Sequence, residues 1–154
     1  MSDDRCPACE APAVGGRSGC QALFDEINAQ AFADLRLASV RDLALDAYCM
    51  QHVETYCRSA KSYAAHLTRL CCGLEYNASP AVYAAIQKWL NGSRRLEKPA
   101  LLTERGRLTV VDVSQAASPE DYQRRLQAWA ADVWQAYAGQ HELARRWLHE
   151  ALGE

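Results

Sequence analysis

The sequence predicts a mainly α-helical protein, a small bundle of about five helices with a metal-bound loop at its N-terminus and one short extended segment. Three observations lead to this prediction. Apolar residues recur three and four positions apart through most of the chain. Serine–proline pairs mark two clean helix starts. The first twenty residues instead combine glycines and prolines with three cysteines, and they contain too few large apolar side chains to form a core.

The first three helices are predicted from apolar spacing. The first runs from about Cys20 to Phe32, the second from about Ser39 to His52, and the third from about Arg58 to Tyr76. In each range the apolar side chains return every three or four residues, so they share one face of a helix.

The fourth helix has explicit boundary signals. Ser79 is a favourable N-cap, and Pro80 suits the first helical position because it lacks an N–H that would be unpaired there anyway. Asn91-Gly92 is a good stop signal. The sequence therefore predicts a helix between these two points.

Residues 93–117 interrupt the helical pattern and are predicted to form an irregular connection. Within it, residues 106–113 contain three valines and a threonine, which favour a short strand or extended segment. Ser118-Pro119 then repeats the helix-start signal. It opens a last helical segment that reaches Leu152, with a bend expected at Gly139.

The composition predicts a single domain over residues 1–154. Of the 154 residues, 49% are hydrophobic and 23% are charged, proportions typical of globular proteins. The formal net charge of −2 argues against nucleic acid as a partner, because proteins that neutralise several phosphates carry a basic face. The arginine pairs Arg94-Arg95 and Arg145-Arg146 are too isolated to form one.

The chain is expected to be cytoplasmic and not to bind a membrane. The first five residues are not followed by the apolar stretch of a signal peptide. No segment approaches the roughly 18 consecutive apolar residues of a membrane-spanning helix. Seven cysteines, with Cys71 and Cys72 adjacent, fit a disulfide scaffold poorly and are expected to stay reduced.

The thiols at the start of the chain are the strongest functional signal. Cys6 and Cys9 are separated by two residues, and Cys20 follows further on. Two thiolates at this spacing can bind one tetrahedral ion, and a third nearly completes a zinc site. The sequence therefore predicts that residues 1–19 form a loop folded around Zn²⁺.

Helix geometry indicates His52 as the fourth ligand. The first helix begins at Cys20 and the second returns antiparallel to it, so His52, at the far end of the second helix, should arrive near Cys20. His66 would lie on the order of 10 Å from that end, and Cys57 is the competing ligand. The expected tetrahedral site consists of Cys6, Cys9, Cys20 and His52.

The inward-facing histidines offer a different chemistry. His52, His66 and His141 continue apolar helix faces, whereas His149 shares a polar face. Together with Asp46, the first three could hold a metal ion or act as acid and base, as in helical metal-dependent hydrolases or thiol transferases. A histidine on an apolar face is more often simply hydrogen-bonded in a core, and these histidines do not follow HExxH or another strict metal-binding spacing.

The remaining cysteines and the tryptophans are interpreted as packing residues. Cys49, Cys71 and Cys72 behave as small hydrophobic side chains within helices. The four tryptophans show no cofactor-binding pattern.

Several segments resemble a group of uncharacterised bacterial proteins classed as a domain of unknown function, over nearly the full length of the chain. The similar segments are CPxC at residues 6–9, Cys20, DAYxxQH at residues 46–52 and HLxxLC at residues 66–71. Further similarity lies in residues 96–99, 108–113 and 129–147.

Two positions depart from the pattern of that group. Glu10 stands where a glycine usually follows the second cysteine, and Val53 stands where a proline usually follows the histidine. Both departures concern loop conformation more than ligand chemistry. The resemblance implies no activity. It implies that the following positions belong to the family pattern: Cys6, Cys9, Cys20, Asp46, Gln51, His52, His66 and His141.

Two classes of function are consistent with these features. In the first, a closed zinc site pins the N-terminal loop to the helices, and the protein is a binding or regulatory module for a protein or small-molecule partner. In the second, the protein is a metal-dependent enzyme that uses His52, His66 and His141.

Overall fold

Helices make up most of the chain in the computed structural model, which describes residues 4–154. The mainly α-helical prediction is confirmed, with more and shorter helices than the expected five. Within the described residues no strand is present, and the one β-bridge joins Arg5 to Pro12. The α-helices are α1 (Arg17–Ala33), α2 (Arg41–Gln51), α3 (Val53–Tyr56), α4 (Ala60–Glu75), α5 (Pro80–Leu90), α6 (Val110–Ser114), α7 (Pro119–Ala136) and α8 (His141–Ala151).

The four helices predicted before residue 93 are confirmed as α1, α2, α4 and α5, with ends close to those expected. Their start signals operate as the sequence indicates. The Ser79 side chain accepts a hydrogen bond from the backbone N–H of Val82, 3.3 Å away, and Pro80 occupies the first turn of α5. At the start of α4, Ser59 and Ser62 form a reciprocal capping box.

Helix α2 lies at the centre of the bundle and packs against α1, α4 and α7. Helix α8 packs on α4, and α5 packs on both of them. The buried apolar side chains of the described residues form one continuous cluster. The indole of Trp129 is completely buried in it, and Trp134 and Trp147 are also buried, which confirms their interpretation as packing residues.

The expected extended segment at residues 106–113 is wrong in its second half, because Val110–Ser114 is the short helix α6. Thr109 is its N-cap: its side chain accepts from the N–H of Val111, and the Asp112 carboxylate accepts from the N–H of Thr109 at 2.8 Å. These two hydrogen bonds nucleate a turn that the β-branched residues would not favour alone. Val110 and Val113 then face the core.

The last predicted segment is two helices and not one bent helix. Helix α7 ends at Ala136, a 3-10 turn spans Ala138–Gln140, and α8 begins at His141. Tyr137 fixes the break, because its buried hydroxyl donates to the carbonyl of Met50 in α2 at 2.6 Å. The separation lets α7 pack on α2 while α8 packs on α4.

None of the helices in residues 4–154 combines the length and the apolar character that crossing a lipid bilayer requires.

Candidate metal centre

The CPxC segment forms a tight turn. The N–H of Glu10 donates to the carbonyl of Cys6 at 2.8 Å, and the N–H of Cys6 donates to the carbonyl of Ala11 at 2.9 Å. Glu10 has φ = 63°, a left-handed conformation that costs a non-glycine residue free energy. The turn therefore demands the backbone geometry that glycine provides most easily, although glutamate occupies the position.

Four side chains converge at the start of α1 and the end of α2. Their ligand atoms all lie within 4.8 Å of one another, and all four residues are buried. Nε2 of His52 lies 3.5 Å from Sγ of Cys6 and 3.5 Å from Sγ of Cys20. Sγ of Cys9 lies 3.7 Å from Sγ of Cys20. The arrangement could hold one metal ion among Cys6, Cys9, Cys20 and His52.

These separations match a tetrahedral zinc site. With Zn–S near 2.3 Å and Zn–N near 2.0–2.1 Å, tetrahedral angles place two sulfurs about 3.8 Å apart and a sulfur about 3.6 Å from the nitrogen. The observed 3.7 Å and 3.5 Å fall close to both values. Four such ligands leave no open coordination position, which is the usual form of a structural site.

The His52 ring is oriented by the helix that precedes it. Its Nδ1–H donates to the carbonyl of Tyr48 at 2.7 Å, a group that the end of α2 leaves without a helical partner. This hydrogen bond fixes the tautomer, so the lone pair of Nε2 points to the three thiols. The local geometry at the end of α2 therefore directs Nε2 of His52 toward the three thiols.

Aromatic stacking holds the ring from the side. Tyr48 is stacked between Phe24 and His52, with both ring centroids 4.0 Å from its own. The Tyr48 hydroxyl donates toward Sγ of Cys20 at 3.8 Å and toward the Gln21 side-chain oxygen at 3.4 Å. Tyr56 donates to the same oxygen of Gln21. Sequence reasoning did not identify Gln21 or Tyr56, whose spacing carries no metal signal.

The pKa values of the Cys9 and Cys20 thiols are shifted in opposite directions. Hydrogen bonding from Cys9, with further contributions from His52 and Tyr48, lowers the pKa of Cys20 below its usual range. The same contact raises the pKa of Cys9, because a second thiolate would lie beside the first. A cation at the centre would offset this repulsion and bind both as thiolates.

The other cysteines lie outside the centre. Sγ of Cys57 faces the carbonyl of Cys49 at 3.7 Å, so it does not compete with His52 for the cluster. Burial raises the pKa of Cys57 to about 12 and that of Cys71 to about 12. Cys49, Cys57, Cys71 and Cys72 are buried, unpaired thiols, consistent with packing.

Asp46 and His66 form a separate polar contact. Nδ1 of His66 lies 2.9 Å from the Asp46 carboxylate, and Nε of Arg69 donates to the same carboxylate at 3.1 Å. Arg69 also pairs with Asp42 and lies over the Tyr83 ring. Burial raises the pKa of Asp46, while His66 and Arg69 oppose that shift. This group links α2 to α4.

His141 has a third environment. Its ring stacks on Trp134 at 3.8 Å between centroids, and Nε2–H donates to the carbonyl of Trp134 at 2.7 Å. It is half-buried, as is His66, whereas His149 is exposed as expected. Within residues 4–154, His66, His141 and Asp46 do not join any cluster of metal-binding side chains, so the structure does not bring His52, His66 and His141 together.

A polar cleft of about 920 Å³ lies directly beside the candidate metal centre. One wall is the N-terminal loop, including Arg5, Glu10 and Cys9 of the candidate metal centre. The opposite wall consists of residues 103–112 and the end of α7. The cleft was not predicted, because the sequence gives no sign that these two loops face each other.

Gln51 fixes the second wall to the bundle. Its side-chain amide donates to the carbonyls of Arg105 at 3.1 Å and Leu108 at 2.8 Å, and its oxygen accepts from the Trp129 indole at 3.0 Å. All hydrogen-bonding positions but one of this buried amide are thereby filled. Gln51 supports the cleft rather than the metal ligands.

Asp132 and Arg105 complete that wall. The Asp132 carboxylate accepts from the backbone N–H groups of Arg107 and Leu108 at 2.6 and 2.8 Å. Gly106 has φ = 103°, and a Cβ there would lie 2.6 Å from the Asp132 carboxylate, so the close approach requires glycine. Buried Arg105 pairs with Glu54 and donates to the carbonyl of Gln51.

Comparison with known families assigns the chain. Residues 4–138 match the family described as "Family of unknown function (DUF5946)". The chain belongs to this family. The resemblance to a domain of unknown function is thereby confirmed, and the matched range contains the four cluster residues, the Asp46–His66 pair and the second wall of the cleft. No curated protein and no solved structure matches the chain.

Proposed function

We propose that this protein is a zinc-dependent binding module. Zn²⁺ is held by Cys6, Cys9, Cys20 and His52, and it has a structural role. It fastens the N-terminal loop to the helical bundle and so completes one wall of the polar cleft, where a small molecule or a protein segment binds.

The spacing of the four ligand atoms supports the metal assignment more than any other observation. Three thiols and an imidazole of fixed tautomer, at separations of 3.5–3.7 Å, are typical of a closed tetrahedral zinc site. The donor set favours zinc over magnesium or calcium, which prefer oxygen ligands. Burial of all four residues also favours a structural role.

Backbone hydrogen bonds attach the loop only weakly to the bundle, although Ala11 and Ala13 are buried in the apolar core. Residues 4–16 form no helix, and their backbone hydrogen bonds are mostly to one another, from Cys6 to Ala11 and from Ala13 to Asp4. A bound ion would tie this loop to α1 through Cys20 and to the end of α2 through His52. Structural zinc sites of this kind can contribute several kcal/mol to folding.

The cytoplasm is the proposed location, because the ligands must be reduced to bind zinc. All seven cysteines are free thiols in the structure.

The test combines metal analysis with hydrogen exchange. Protein purified without chelators should contain one zinc ion per chain. Cys9→Ala should lower that content to near zero, whereas Cys57→Ala, which removes a buried thiol outside the cluster, should leave one ion bound. Zinc removal should accelerate exchange of the Cys6 and Glu10 amides, which the turn protects.

Zinc content that is unchanged in Cys9→Ala would overturn the metal assignment. Exchange at Cys6 and Glu10 that is unaffected by zinc removal would instead overturn the fastening role while leaving metal binding intact.

A further inference from the structure

A second cleft, which shares no lining residue with the polar cleft beside the metal centre, lies between residues 94–99 and helix α8. This cleft has a volume of about 420 Å³, within the range of small-molecule sites. Arg94 and Arg95 lie on the first wall, and Arg146 lies on the second. The chain thus brings together basic groups that are about fifty residues apart in the sequence.

Neighbouring arginines in α8 have different roles. Arg145 points away from the cleft and pairs with Glu75 through two hydrogen bonds, at 2.8 and 2.6 Å. Arg146 is exposed and lines the cleft. Successive residues of a helix point about 100° apart, so only one of the pair can face a given groove.

The wall formed by residues 94–99 is fixed to the bundle. Nζ of Lys98 donates to the carbonyls of Cys57 and Arg58, at 3.1 and 2.8 Å, and thereby anchors the segment beside α3. Arg94 pairs with Glu150 of α8 at 3.0 Å across the cleft. Because Lys98 and Arg94 make these contacts, Arg95 and Arg146 supply the cationic groups that face solvent.

Polar atoms beside this cleft lack partners. Within residues 4–154, the buried side-chain atoms without a hydrogen bond are Nε1 of Trp89 and Oε2 of Glu150. Glu150 lines the cleft, and the Trp89 ring packs against Trp147, which also lines it, at 6.4 Å between centroids. The unpaired oxygen of Glu150 is an acceptor and, like the Glu97 carboxylate in the lining, would repel an anion, so anion binding in this cleft depends on Arg95 and Arg146.

The cleft also has apolar walls. Leu96, Pro99, Leu143 and Trp147 lie among its basic groups. An oxyanion alone would use only the guanidinium groups, whereas an oxyanion on an apolar body would contact both kinds of surface. Planar guanidinium groups pair with carboxylate and phosphate oxygens through two parallel hydrogen bonds.

We propose that this second cleft binds a small organic oxyanion, a carboxylate or phosphate ester with an apolar body, between Arg95 and Arg146. The site is separate from the metal centre, and its occupation does not depend on the proposed zinc function.

The experiment is isothermal titration calorimetry on the zinc-loaded full chain with four probes: phenyl phosphate, phenylpropionate, inorganic phosphate and the neutral 2-phenylethanol. Phenyl phosphate or phenylpropionate should bind more tightly than inorganic phosphate and 2-phenylethanol. The tighter of the two identifies the oxyanion as phosphate or carboxylate.

Arg95→Gln and Arg146→Gln should each weaken binding of that probe about tenfold, the effect of losing a charge-assisted hydrogen bond. The matched control is Arg145→Gln, which removes the same charge from the adjacent position without touching the cleft and should leave binding unchanged. Circular dichroism melting checks that each variant folds.

Failure of both aromatic anions to bind more tightly than about 1 mM would overturn the proposal. Equal weakening of probe binding in Arg145→Gln and Arg146→Gln would also overturn the proposal. It would mean that the anion is attracted by the net charge of α8 and not by a specific contact with Arg146.

Discussion

Sγ of Cys20 and Nε2 of His52 lie 3.5 Å apart although 32 positions separate them in the chain. Cys20 lies in the first turns of α1, and His52 follows directly after the last residue of α2. The contact thus joins the start of α1 to the end of α2, and Sγ of Cys6, 3.5 Å from the same nitrogen, places the N-terminal loop against this junction.

Gly19, beside Cys20 of the candidate metal centre, should tolerate no side chain. A Cβ at this position would lie 2.0 Å from the carbonyl oxygen of Val14, a backbone atom that cannot move without shifting the loop. We expect Gly19→Ala to lower the free energy of unfolding by about 1–3 kcal/mol despite the better helix propensity of alanine. Chemical denaturation of zinc-loaded protein measures this.

Gly139→Ala is the matched control for that substitution, because a Cβ there meets nothing within 4 Å and its φ is not positive. Its stability should equal or slightly exceed that of the wild type. Equal stability of the two variants would contradict the tight contact between α1 and the loop.

Glu10→Gly should stabilise the protein. Glutamate at φ = 63° carries a steric cost that glycine avoids, and the greater entropy of glycine in the unfolded chain opposes this gain only in part. We expect a gain of about 0.5–1 kcal/mol, measured by denaturation with zinc bound. Glu10→Ala retains the strain and should leave stability near the wild-type value, so an equal gain in both variants would argue against a backbone cause.

The composition of the candidate metal centre could be predicted from the sequence, whereas α6 and the two clefts could not. The CPxC spacing brings Cys6 and Cys9 together, and the lengths of the first two antiparallel helices bring Cys20 close to His52. Cys57 stayed a competing ligand, because the sequence alone does not show which way its side chain points. The α6 helix was missed because its Thr109–Asp112 capping box competes with the strand preference of the valines. Both clefts lie between segments that are far apart in the chain, and no pattern in a single sequence indicates that such segments face each other.

Gln51 should be critical for the wall formed by residues 105–108. Gln51→Leu removes the partner of the Trp129 indole and of the Arg105 and Leu108 carbonyls, so it should cost about 2–4 kcal/mol of stability. Gln87→Leu, on the exposed face of α5, should change stability by less than about 0.5 kcal/mol. Zinc content should stay at one ion in both variants, since neither side chain hydrogen-bonds to the four residues of the candidate metal centre. Loss of zinc in Gln51→Leu would show that it supports the metal as well.

The Glu54–Arg105 pair should contribute to acid sensitivity. Hydrogen bonding from Arg105 lowers the pKa of Glu54 below its usual value of 4.5. The folded state therefore binds a proton less readily than the unfolded state, so the pair stabilises the protein above the ordinary pKa and its contribution is lost as the pH falls below it. Glu54→Gln should be less stable than the wild type at neutral pH.

The difference in the free energy of unfolding between the wild type and Glu54→Gln should become smaller as the pH is lowered. Urea denaturation at several pH values would measure it. Glu26→Gln, at an exposed position of α1, should show no pH-dependent difference. A gap between Glu54→Gln and wild type that stays constant with pH would contradict an ionic contribution from this pair.

X-ray absorption at the zinc K-edge tests the central proposal most directly. We expect three sulfur ligands at about 2.3 Å and one nitrogen at about 2.0–2.1 Å, with no water oxygen. Four sulfur ligands, which would require a further cysteine such as Cys57 in place of His52, would contradict it, and so would a shell dominated by oxygen and nitrogen.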